Sequence, residues 1–267
     1  MIKLGVMGCG NMGGALLRGW AAAEELRGRV SLLAYDCCME RCALEGVNPA
    51  ASAAVLAAQA DVLVLALKPG QIPAALREVA SCLKPGGLII SIAAGLGLKP
   101  IKESAGGGNP AALVLPNTPA RVGRGVFGIC LDDPALKEEQ RRLTLDLFAA
   151  LGQTLVLPES SLNAFSALMG CGPAYIYYFL DALTEAGVCL GFSREEAARL
   201  VLALCAGSTA LAEQSGQPLP LLREQVCSPA GTTIAAMNKL DREAVRGHIV
   251  DAVLAAFEKG KVLSTLI

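Results

Sequence analysis

The stretch "KLGVMGCGNMGGAL", residues 3–16, places closely spaced glycines between an apolar run and a helical pattern. Gly8, Gly10 and Gly13 have the G-x-G-x-x-G spacing that follows the first strand of dinucleotide-binding domains. Such glycines permit a tight turn and let backbone N–H groups approach a pyrophosphate, which the following helix N-terminus also attracts. A purely structural glycine turn is the alternative. The predicted cofactor contacts in this turn are Gly8, Cys9, Gly10, Asn11, Met12 and Gly13.

Short apolar runs alternate with helix-length segments from residue 1 to about residue 157. The strand candidates are residues 2–7, 30–35, 61–67, 87–93, 111–115 and 126–131, with 154–157 as a late edge strand. Strands separated by helices are typical of βαβ units and a parallel sheet. We therefore predict an α/β domain over residues 1–158, built on a Rossmann-like doubly wound parallel sheet.

The strand signal ends after Pro158, and the remaining sequence predicts helices. One of them, in residues 193–214, begins with an N-cap at Ser193 and then runs without charge over residues 200–212. A helix that is apolar on nearly all sides must be buried, and a segment of this size needs a second subunit to enclose it. Residues 159–267 are therefore predicted to form an all-α domain through which the chain forms a homodimer.

Composition narrows the possible partners. Hydrophobic residues make up 53% of the chain and charged residues 18%, which also favours a sizeable subunit interface. With 23 basic and 24 acidic residues and no basic stripe, we expect neither nucleic acid nor a membrane as a partner. Residues 1–8 read directly as a strand, without the features of a secretory signal, so we expect a cytoplasmic protein.

The ten cysteines form no C-x-x-C pair, and His248 is the only histidine. Scattered cysteines in apolar segments usually behave as small hydrophobic residues in a reducing compartment. We therefore predict no metal site. A catalytic role for His248 is also not expected, because it falls within a helical pattern near the C-terminus.

Asp36 closes the second strand, where an acidic side chain can accept hydrogen bonds from a ribose 2′-hydroxyl and would repel a 2′-phosphate. Arg41, five residues further on, could offset that repulsion. The alternative for Asp36 is a solvated turn residue. The predicted cofactor is therefore NADP or NAD, with the choice left open.

Other candidate residues follow the later strands. In a doubly wound sheet the carboxyl ends of the strands face the ligand crevice, which places Leu67, Lys68 and Pro69 at the site. The segments "SIAAG", residues 91–95, and "PNTPA", residues 116–120, end the next two strands in the same way. Asn117 is positioned to contact a nicotinamide, although a turn-forming role is nearly as well supported.

The stretch "VCSPAGTTIAAMNKLD", residues 226–241, has many hydroxyls and small residues but no charge before Lys239. A capping motif at the start of a helix would account for it. A neutral helix entrance rich in N–H and O–H donors would also suit a carboxylate ligand.

Six blocks together, "GCGNMGGA", "ALKPGQ", "SIAAG", "LPNTPARVGRG", "GCGPAYIYYFLDAL" and "VCSPAGTTIAAMNKL", resemble the pyrroline-5-carboxylate reductases in order and spacing. The resemblance implies a Rossmann domain followed by a helical domain that intertwines with its partner as a dimer, often within a larger ring of dimers. It also implies reduction of the cyclic imine (S)-1-pyrroline-5-carboxylate to L-proline by hydride from NADPH or NADH.

The resemblance further implies roles for individual residues. Asn48 would contact the adenosine side of the cofactor, while Ala66, Leu67, Lys68, Pro69 and Ala93 would line it. Ser228, Gly231, Thr232 and Thr233 would hold the substrate carboxylate, with Thr233 as the candidate catalytic residue beside the imine nitrogen. In the partner-swapped arrangement of the family, this last block would complete a site built mainly by the other subunit.

Several positions depart from the family pattern. Asp36 stands where many members carry a small residue followed by a basic one, which weakens the expectation of strict NADPH preference. Met169 and Cys171 replace serines of the usual S-G-S-G-P-A-Y, and Ala230 replaces the first glycine of S-P-G-G-T-T.

Two alternatives remain. β-Hydroxyacid and 6-phosphogluconate dehydrogenases share this layout but use a lysine of the helical domain, and residues 160–195 contain none. A non-catalytic nucleotide-sensing subunit is the other, since a Rossmann fold alone does not prescribe catalysis. The hydroxyl-rich block argues against it, because a sensor needs no carboxylate site.

Overall fold

The structure is a computed structural model, and it describes residues 1–264. The chain folds into two compact units: residues 1–171 together with the end of the chain from Ala256, and Gly172–Ala255 between them. The sequence predicts a boundary after residue 158, with a dinucleotide-binding domain before it and a helical domain after it. This division stays a prediction.

The first unit is built on an eight-stranded sheet with the strand order β3-β2-β1-β4-β5-β6-β7-β8. The strands are β1 Ile2–Met7, β2 Val30–Tyr35, β3 Val47–Pro49, β4 Val62–Leu65, β5 Leu88–Ser91, β6 Ala111–Leu115, β7 Gly125–Cys130 and β8 Gly152–Val156. β1 pairs in parallel with both β2 and β4, so the order reverses at β1. The predicted doubly wound sheet is therefore confirmed, with its switch point at the carboxyl end of β1.

Two features of the sheet differ from the sequence prediction. β7 is antiparallel to β6 because residues 116–124, which join them, are too few for a crossover helix. β3 was not predicted; it has three residues and ends in Pro49, so it carries no readable alternation. The sheet is thus mostly parallel, with one antiparallel pair.

Helices cover both faces of this sheet. They are α1 Asn11–Ala22, α2 Ala53–Gln59, α3 Ile72–Val79, α4 Leu98–Ser104 and α5 Glu138–Ala149. On one face Trp20 of α1 packs edge-on against Phe148 of α5, with ring centroids 5.6 Å apart, and its Nε1 donates to the Leu147 carbonyl. On the other face Leu56, Leu76 and Ile101 are fully buried. Burial of apolar surface on both faces holds the strand ends in fixed positions.

The remaining helices are α6 Leu162–Phe165, α7 Gly172–Cys189, α8 Arg194–Ser215, α9 Leu219–Gln225, α10 Thr232–Arg242 and α11 Val245–Ser264. Between α6 and α7, Ser166–Gly170 forms a π-helical turn, a feature often found at functional sites. The predicted N-cap of α8 is confirmed: Ser193 Oγ accepts from the Glu196 N–H, and Glu196 Oε2 accepts from the Ser193 N–H.

Helices α7 and α8 expose many large apolar side chains. Examples are Ile176, Tyr177, Tyr178, Leu183, Leu200, Leu202, Leu204 and Leu211. Such a surface is larger than monomeric proteins usually leave in water, which supports the predicted subunit interface. No helix within residues 1–264 is both long enough and apolar enough to cross a membrane.

An ion pair with a buried carboxylate links α4 to the start of β6 and to the residues that follow β7. Asp133 is 2% exposed; its carboxylate accepts from Lys102 Nζ at 2.6 Å and from the Ala111 and Ala135 N–H groups. Burial alone would raise the pKa of Asp133, but Lys102 and these N–H groups hold it below its ordinary value. Its stabilising contribution is therefore present above the pKa of the unfolded carboxyl and is lost as the pH falls through the lowered folded pKa.

Asp133→Ala is expected to lower the free energy of unfolding at pH 7 by about 3–5 kcal/mol, because it leaves Lys102 and the buried Ala111 N–H without their acceptor. Urea denaturation of both proteins between pH 7 and pH 3 measures the effect. The difference should shrink as the pH falls below 4. A difference below about 1 kcal/mol at pH 7 would contradict this account of the ion pair.

Candidate active site

The three glycines of the first turn have different structural roles. Gly8 has φ +99°, and a Cβ there would lie 2.6 Å from the Ala66 carbonyl oxygen. A Cβ on Gly13 would collide with the Gly8 carbonyl oxygen. Gly10, by contrast, has no atom within 4 Å of the place its Cβ would occupy. The packing of the chain itself requires glycine at positions 8 and 13, whereas open space at Gly10 fits the approach of a ligand.

The start of α1 is suited to an anion. Gly10 is its N-cap, no side chain caps the helix, and its first turn contains no acidic residue. The first N–H groups of a helix have no intrahelical acceptor and carry the positive end of its dipole. Together with the space at Gly10, this geometry fits the pyrophosphate of a dinucleotide.

Asp36 is 7% exposed and holds the turn in place. Its Oδ2 accepts from the Cys9 N–H at 2.8 Å, and its Oδ1 accepts from the Cys38 N–H at 2.9 Å. Burial alone would raise the pKa of Asp36, but these hydrogen bonds, with Arg41 3.8 Å away, hold it below its ordinary value. Most of the carboxylate is thus engaged by the protein, and ribose binding by Asp36 stays a prediction.

The structure brings together the other predicted strand-end residues of the first unit. Met7, Leu65, Ser91 and Leu113 are successive partners across four adjacent strands, so the residues that follow them share one edge of the sheet. That edge holds Gly8, Ala66, Leu67, Lys68, Pro69 and Ala93.

Two predicted contacts already have partners within the protein. Asn117 Oδ1 accepts from the Val126 N–H at 3.0 Å, which ties the β6–β7 connection to β7. Asn48 lies on β3 and its Nδ2 donates to the Leu32 carbonyl at 3.2 Å. Each amide keeps its other polar atom for a ligand, and both cofactor roles stay predictions.

Sequence reasoning named Arg41 after β2 but missed Arg18 and Arg121, and it also missed a second cavity beside this edge. Arg18, Arg41 and Arg121 line a polar cleft of about 530 Å³ together with Gly10 and Asn11; we call it the arginine cleft. The arginines come from three separate elements, so no local pattern could join them.

A second cavity, of about 520 Å³, lies at the end of β5. Ala93 and Cys171 line it, as do Lys259 and Gly260 from the end of α11. The Asn163 Nδ2 donates to the Phe257 carbonyl at 3.0 Å, which fixes the end of α11 there. Sequence patterns gave no signal that the last helix returns to the sheet-containing unit.

The hydroxyl-rich block forms the entrance of α10 in the second unit. Gly231 is the N-cap, and no side chain caps the helix, so Thr233 is not a capping residue. A Cβ on Gly231 would collide with Ser228 Oγ, which shows how closely the serine approaches the helix start. The first N–H groups of α10, including those of Thr232 and Thr233, are thus available to an external acceptor.

Ala230, where the family pattern has glycine, adopts φ +55°. This left-handed conformation strains a residue with a Cβ by about 1–2 kcal/mol. Ala230→Gly is therefore expected to raise the free energy of unfolding by about 0.5–1 kcal/mol, after the entropic cost of a more flexible unfolded chain.

Thermal unfolding checks this prediction, with Ala244→Gly as the matched control. Ala244 has φ +51° and lies outside the block, between α10 and α11, so the control should gain similar stability. A lower unfolding temperature for Ala230→Gly than for the unaltered chain would contradict the strain argument.

A dinucleotide-binding sheet followed by helices with an exposed apolar surface is the architecture of NAD(P)-dependent oxidoreductases in which a helical domain follows the Rossmann domain. Residues 3–95 match the family described as coenzyme F420-dependent NADP oxidoreductase, and residues 159–263 match pyrroline-5-carboxylate reductase dimerisation. Pyrroline-5-carboxylate reductase of Escherichia coli K12 is 32% identical over 267 aligned residues, covering 98% of each chain. The chain therefore belongs to the pyrroline-5-carboxylate reductase family.

Other relatives agree. Pyrroline-5-carboxylate reductase of Arabidopsis thaliana is 31% identical, covering 98% of this chain and 95% of the relative. The crystal structure of Plasmodium falciparum pyrroline carboxylate reductase with NADP bound is 33% identical, with a TM-score of 0.89 over 98% of each chain. Family membership sets aside the β-hydroxyacid and 6-phosphogluconate dehydrogenases considered above.

Proposed function

We propose that this protein reduces (S)-1-pyrroline-5-carboxylate to L-proline with NAD(P)H, the last step of proline biosynthesis. The observation that carries the proposal is a pair of helix N-termini that no side chain caps. α1 begins after the open position at Gly10, and α10 begins after Gly231. The first suits the pyrophosphate of the cofactor, and the second suits the carboxylate of the substrate.

The reaction requires the protein mainly to position the imine against the nicotinamide. The protonated imine is already electrophilic, and the reduced nicotinamide, when bound, supplies the hydride. The protein must hold the C=N carbon at attack distance and keep water from competing. A dedicated strong acid is not required, which agrees with His248 being exposed on α11.

The entrance of α10 performs the binding step. Residues 226–238 carry no charge, so no anion competes with the substrate carboxylate and no cation repels the iminium. The N–H groups of Thr232 and Thr233 and the Ser228 hydroxyl donate to the carboxylate. The Thr233 hydroxyl accepts a hydrogen bond from the protonated imine nitrogen and fixes the plane of the ring.

The cofactor contacts belong to the same proposal. The turn from Gly8 to Gly13 holds the pyrophosphate, and Asp36 and Asn48 serve the adenosine half. The segment from Ala66 to Pro69, with Ala93 and Asn117, serves the nicotinamide half. In this assignment residues 1–158 bind the cofactor and 159–267 bind the substrate and form the dimer.

Assembly and location complete the proposal. The exposed apolar side chains of α7 and α8 support a homodimer, and we extend this to a ring of dimers. Light scattering after gel filtration measures the number of subunits.

A cytoplasmic location is supported by ten cysteines that are all free thiols.

Oxidation of NADH and NADPH in the presence of pyrroline-5-carboxylate, with L-proline measured as product, tests the function. 1-Pyrroline, which lacks the carboxylate, is the matched control substrate and should turn over at least about 100-fold less efficiently, as expected for a lost charge-assisted contact. No turnover with either cofactor would overturn the proposal. Equal efficiency with 1-pyrroline would overturn the role of α10.

A further inference from the structure

Two buried thiols lie against each other at the glycine turn. Cys9 is 6% exposed and Cys42 is fully buried, and their Sγ atoms are 3.5 Å apart although 33 positions of sequence separate them. Both are free thiols, and the reaction proposed above uses neither. The sulfur atoms of a disulfide are about 2.05 Å apart, so a modest movement would allow these two to bond.

The two cysteines connect segments that line the arginine cleft. Cys9 itself lines the cleft, next to Gly10. Arg41 and Leu44, which are close to Cys42 in sequence, line it from a second segment. A bond between the two sulfurs would draw these segments together and change the space between them.

The glycine turn has little freedom to absorb such a movement. The Gly8 N–H donates to the Tyr35 carbonyl at 2.8 Å, and the Cys9 N–H donates to Asp36 Oδ2 at 2.8 Å. The next residue is Gly10, where the proposed pyrophosphate site needs open space. Binding groups must stay within about 0.5 Å of their productive positions, so displacement of Cys9 would weaken the binding of a dinucleotide.

Cys9 gives a small oxidant access to the pair, because it is slightly exposed on the wall of the cleft. The Cys9 thiolate attacks one oxygen of hydrogen peroxide, and an S–O bond forms as the O–O bond breaks. The products are a sulfenic acid and hydroxide, which takes up the thiol proton to become water. The Cys42 sulfur then attacks the sulfenic sulfur, and the hydroxyl leaves with the Cys42 proton as a second water. Both thiols are thereby oxidised to one disulfide, and the peroxide is reduced to water.

The reactivity of Cys9 sets the conditions for this step. Burial and the hydrogen bond with Cys42 raise the pKa of the Cys9 thiol above its ordinary value. Little of it is thiolate at neutral pH, so the pair should react slowly and stay reduced until peroxide accumulates. Disulfides that form in a reducing compartment are usually transient and often sense the redox state.

We propose that Cys9 and Cys42 form a reversible disulfide in response to peroxide, and that this bond closes the glycine turn to the dinucleotide. The reduced chain binds NAD(P)H, and the oxidised chain stops consuming it while peroxide is present. The inference rests on the proposed function only for the identity of the cofactor, since the bond depends on the two thiols alone.

Peptide mapping of the full chain after treatment with hydrogen peroxide tests the bond, and titration with NADP⁺ tests its consequence. We expect a pair of peptides linked through Cys9 and Cys42, which separates on reduction with dithiothreitol. The affinity for NADP⁺ should fall at least about 10-fold on oxidation, because the turn is displaced by more than a binding site tolerates. Reduction should restore it.

Cys42→Ala is the decisive variant, because it removes one sulfur and leaves the residues of the glycine turn unchanged. It should bind NADP⁺ as tightly as the reduced unaltered chain and keep this affinity after peroxide treatment. Cys42→Ser fills nearly the same space and should behave in the same way.

Two control variants keep the Cys9–Cys42 pair. Cys130 is also a fully buried free thiol, but it lies on β7, which three strands separate from β1. Cys37 and Cys38 are exposed free thiols that follow Asp36. Cys130→Ala and the double variant Cys37→Ala with Cys38→Ala should each lose affinity for NADP⁺ on oxidation, as the unaltered chain does.

Three outcomes would overturn the proposal: no peptide linked through Cys9 and Cys42, unchanged affinity for NADP⁺ in the chain that carries this bond, or the same loss of affinity in Cys42→Ala. Loss of sensitivity in the double variant would assign the effect to the exposed thiols and would also overturn it. Neither measurement uses the imine, so a chain that binds NADP⁺ but shows no reductase activity would refute the proposed function and leave this result intact.

Discussion

Gly10→Ala is expected to weaken NADP⁺ binding at least about 100-fold, equivalent to about 2.7 kcal/mol, and to leave the fold intact. A methyl group at this position meets no atom of the protein within 4 Å, and Gly10 has φ −67°, which alanine adopts readily. The added methyl group would instead occupy the space through which the pyrophosphate approaches the helix N-terminus.

Gly13→Ala separates this effect from simple disruption of the turn. Its added methyl group would collide with the Gly8 carbonyl, so both the unfolding temperature and cofactor binding should fall. Thermal unfolding and titration with NADP⁺ measure the two properties independently. Tight NADP⁺ binding by Gly10→Ala would contradict the assignment of the turn, as would a loss of stability as large as that of Gly13→Ala.

Thr233→Ala is expected to lower kcat/KM for pyrroline-5-carboxylate about 10- to 100-fold, the effect of losing one hydrogen bond to a charged group. The affinity for NADP⁺ should not change, because Thr233 belongs to the entrance of α10 and not to the cofactor turn. Initial rates over a range of imine concentrations, with a separate titration of NADP⁺, measure the two effects.

Conservative variants identify the hydroxyl as the group responsible. Thr233→Ser keeps the hydroxyl and should recover most of the lost efficiency, whereas Thr233→Val keeps the shape and should not. Ser228→Ala should mainly raise KM, since Ser228 is assigned only to the carboxylate. If Thr233→Val matched the unaltered chain, Thr233 would have no chemical role.

The parts of the fold that rest on local patterns could be predicted. The glycine turn, the alternating strands and the Ser193 cap each involve residues close together in sequence, and each was found where expected. The direction of β7 could not be predicted, because an apolar run has no direction and only the length of its connection decides the pairing. β3 could not be predicted because three residues are too few to show an alternation of apolar and polar side chains.

The types of residue in the candidate site could be predicted from the sequence, but the contacts that they make could not. Asp36 was identified as a polar residue ending a strand, but its hydrogen bond to the Cys9 N–H spans 27 positions of sequence and depends on the folded turn. At α10 the hydroxyls suggested a side-chain cap, yet Gly231 occupies the N-cap position. Long-range packing, which sequence patterns do not record, decides the first of these contacts.

Transfer of deuterium from cofactor to product tests the central claim most directly. The full chain is incubated with pyrroline-5-carboxylate and, in separate reactions, with NADPH or NADH carrying deuterium at C4 of the nicotinamide, with each of the two faces labelled in turn. We expect L-proline with one deuterium on the ring carbon that belonged to the C=N bond, from one of the two labelled faces. Absence of proline, or proline without deuterium from either cofactor, would contradict the account.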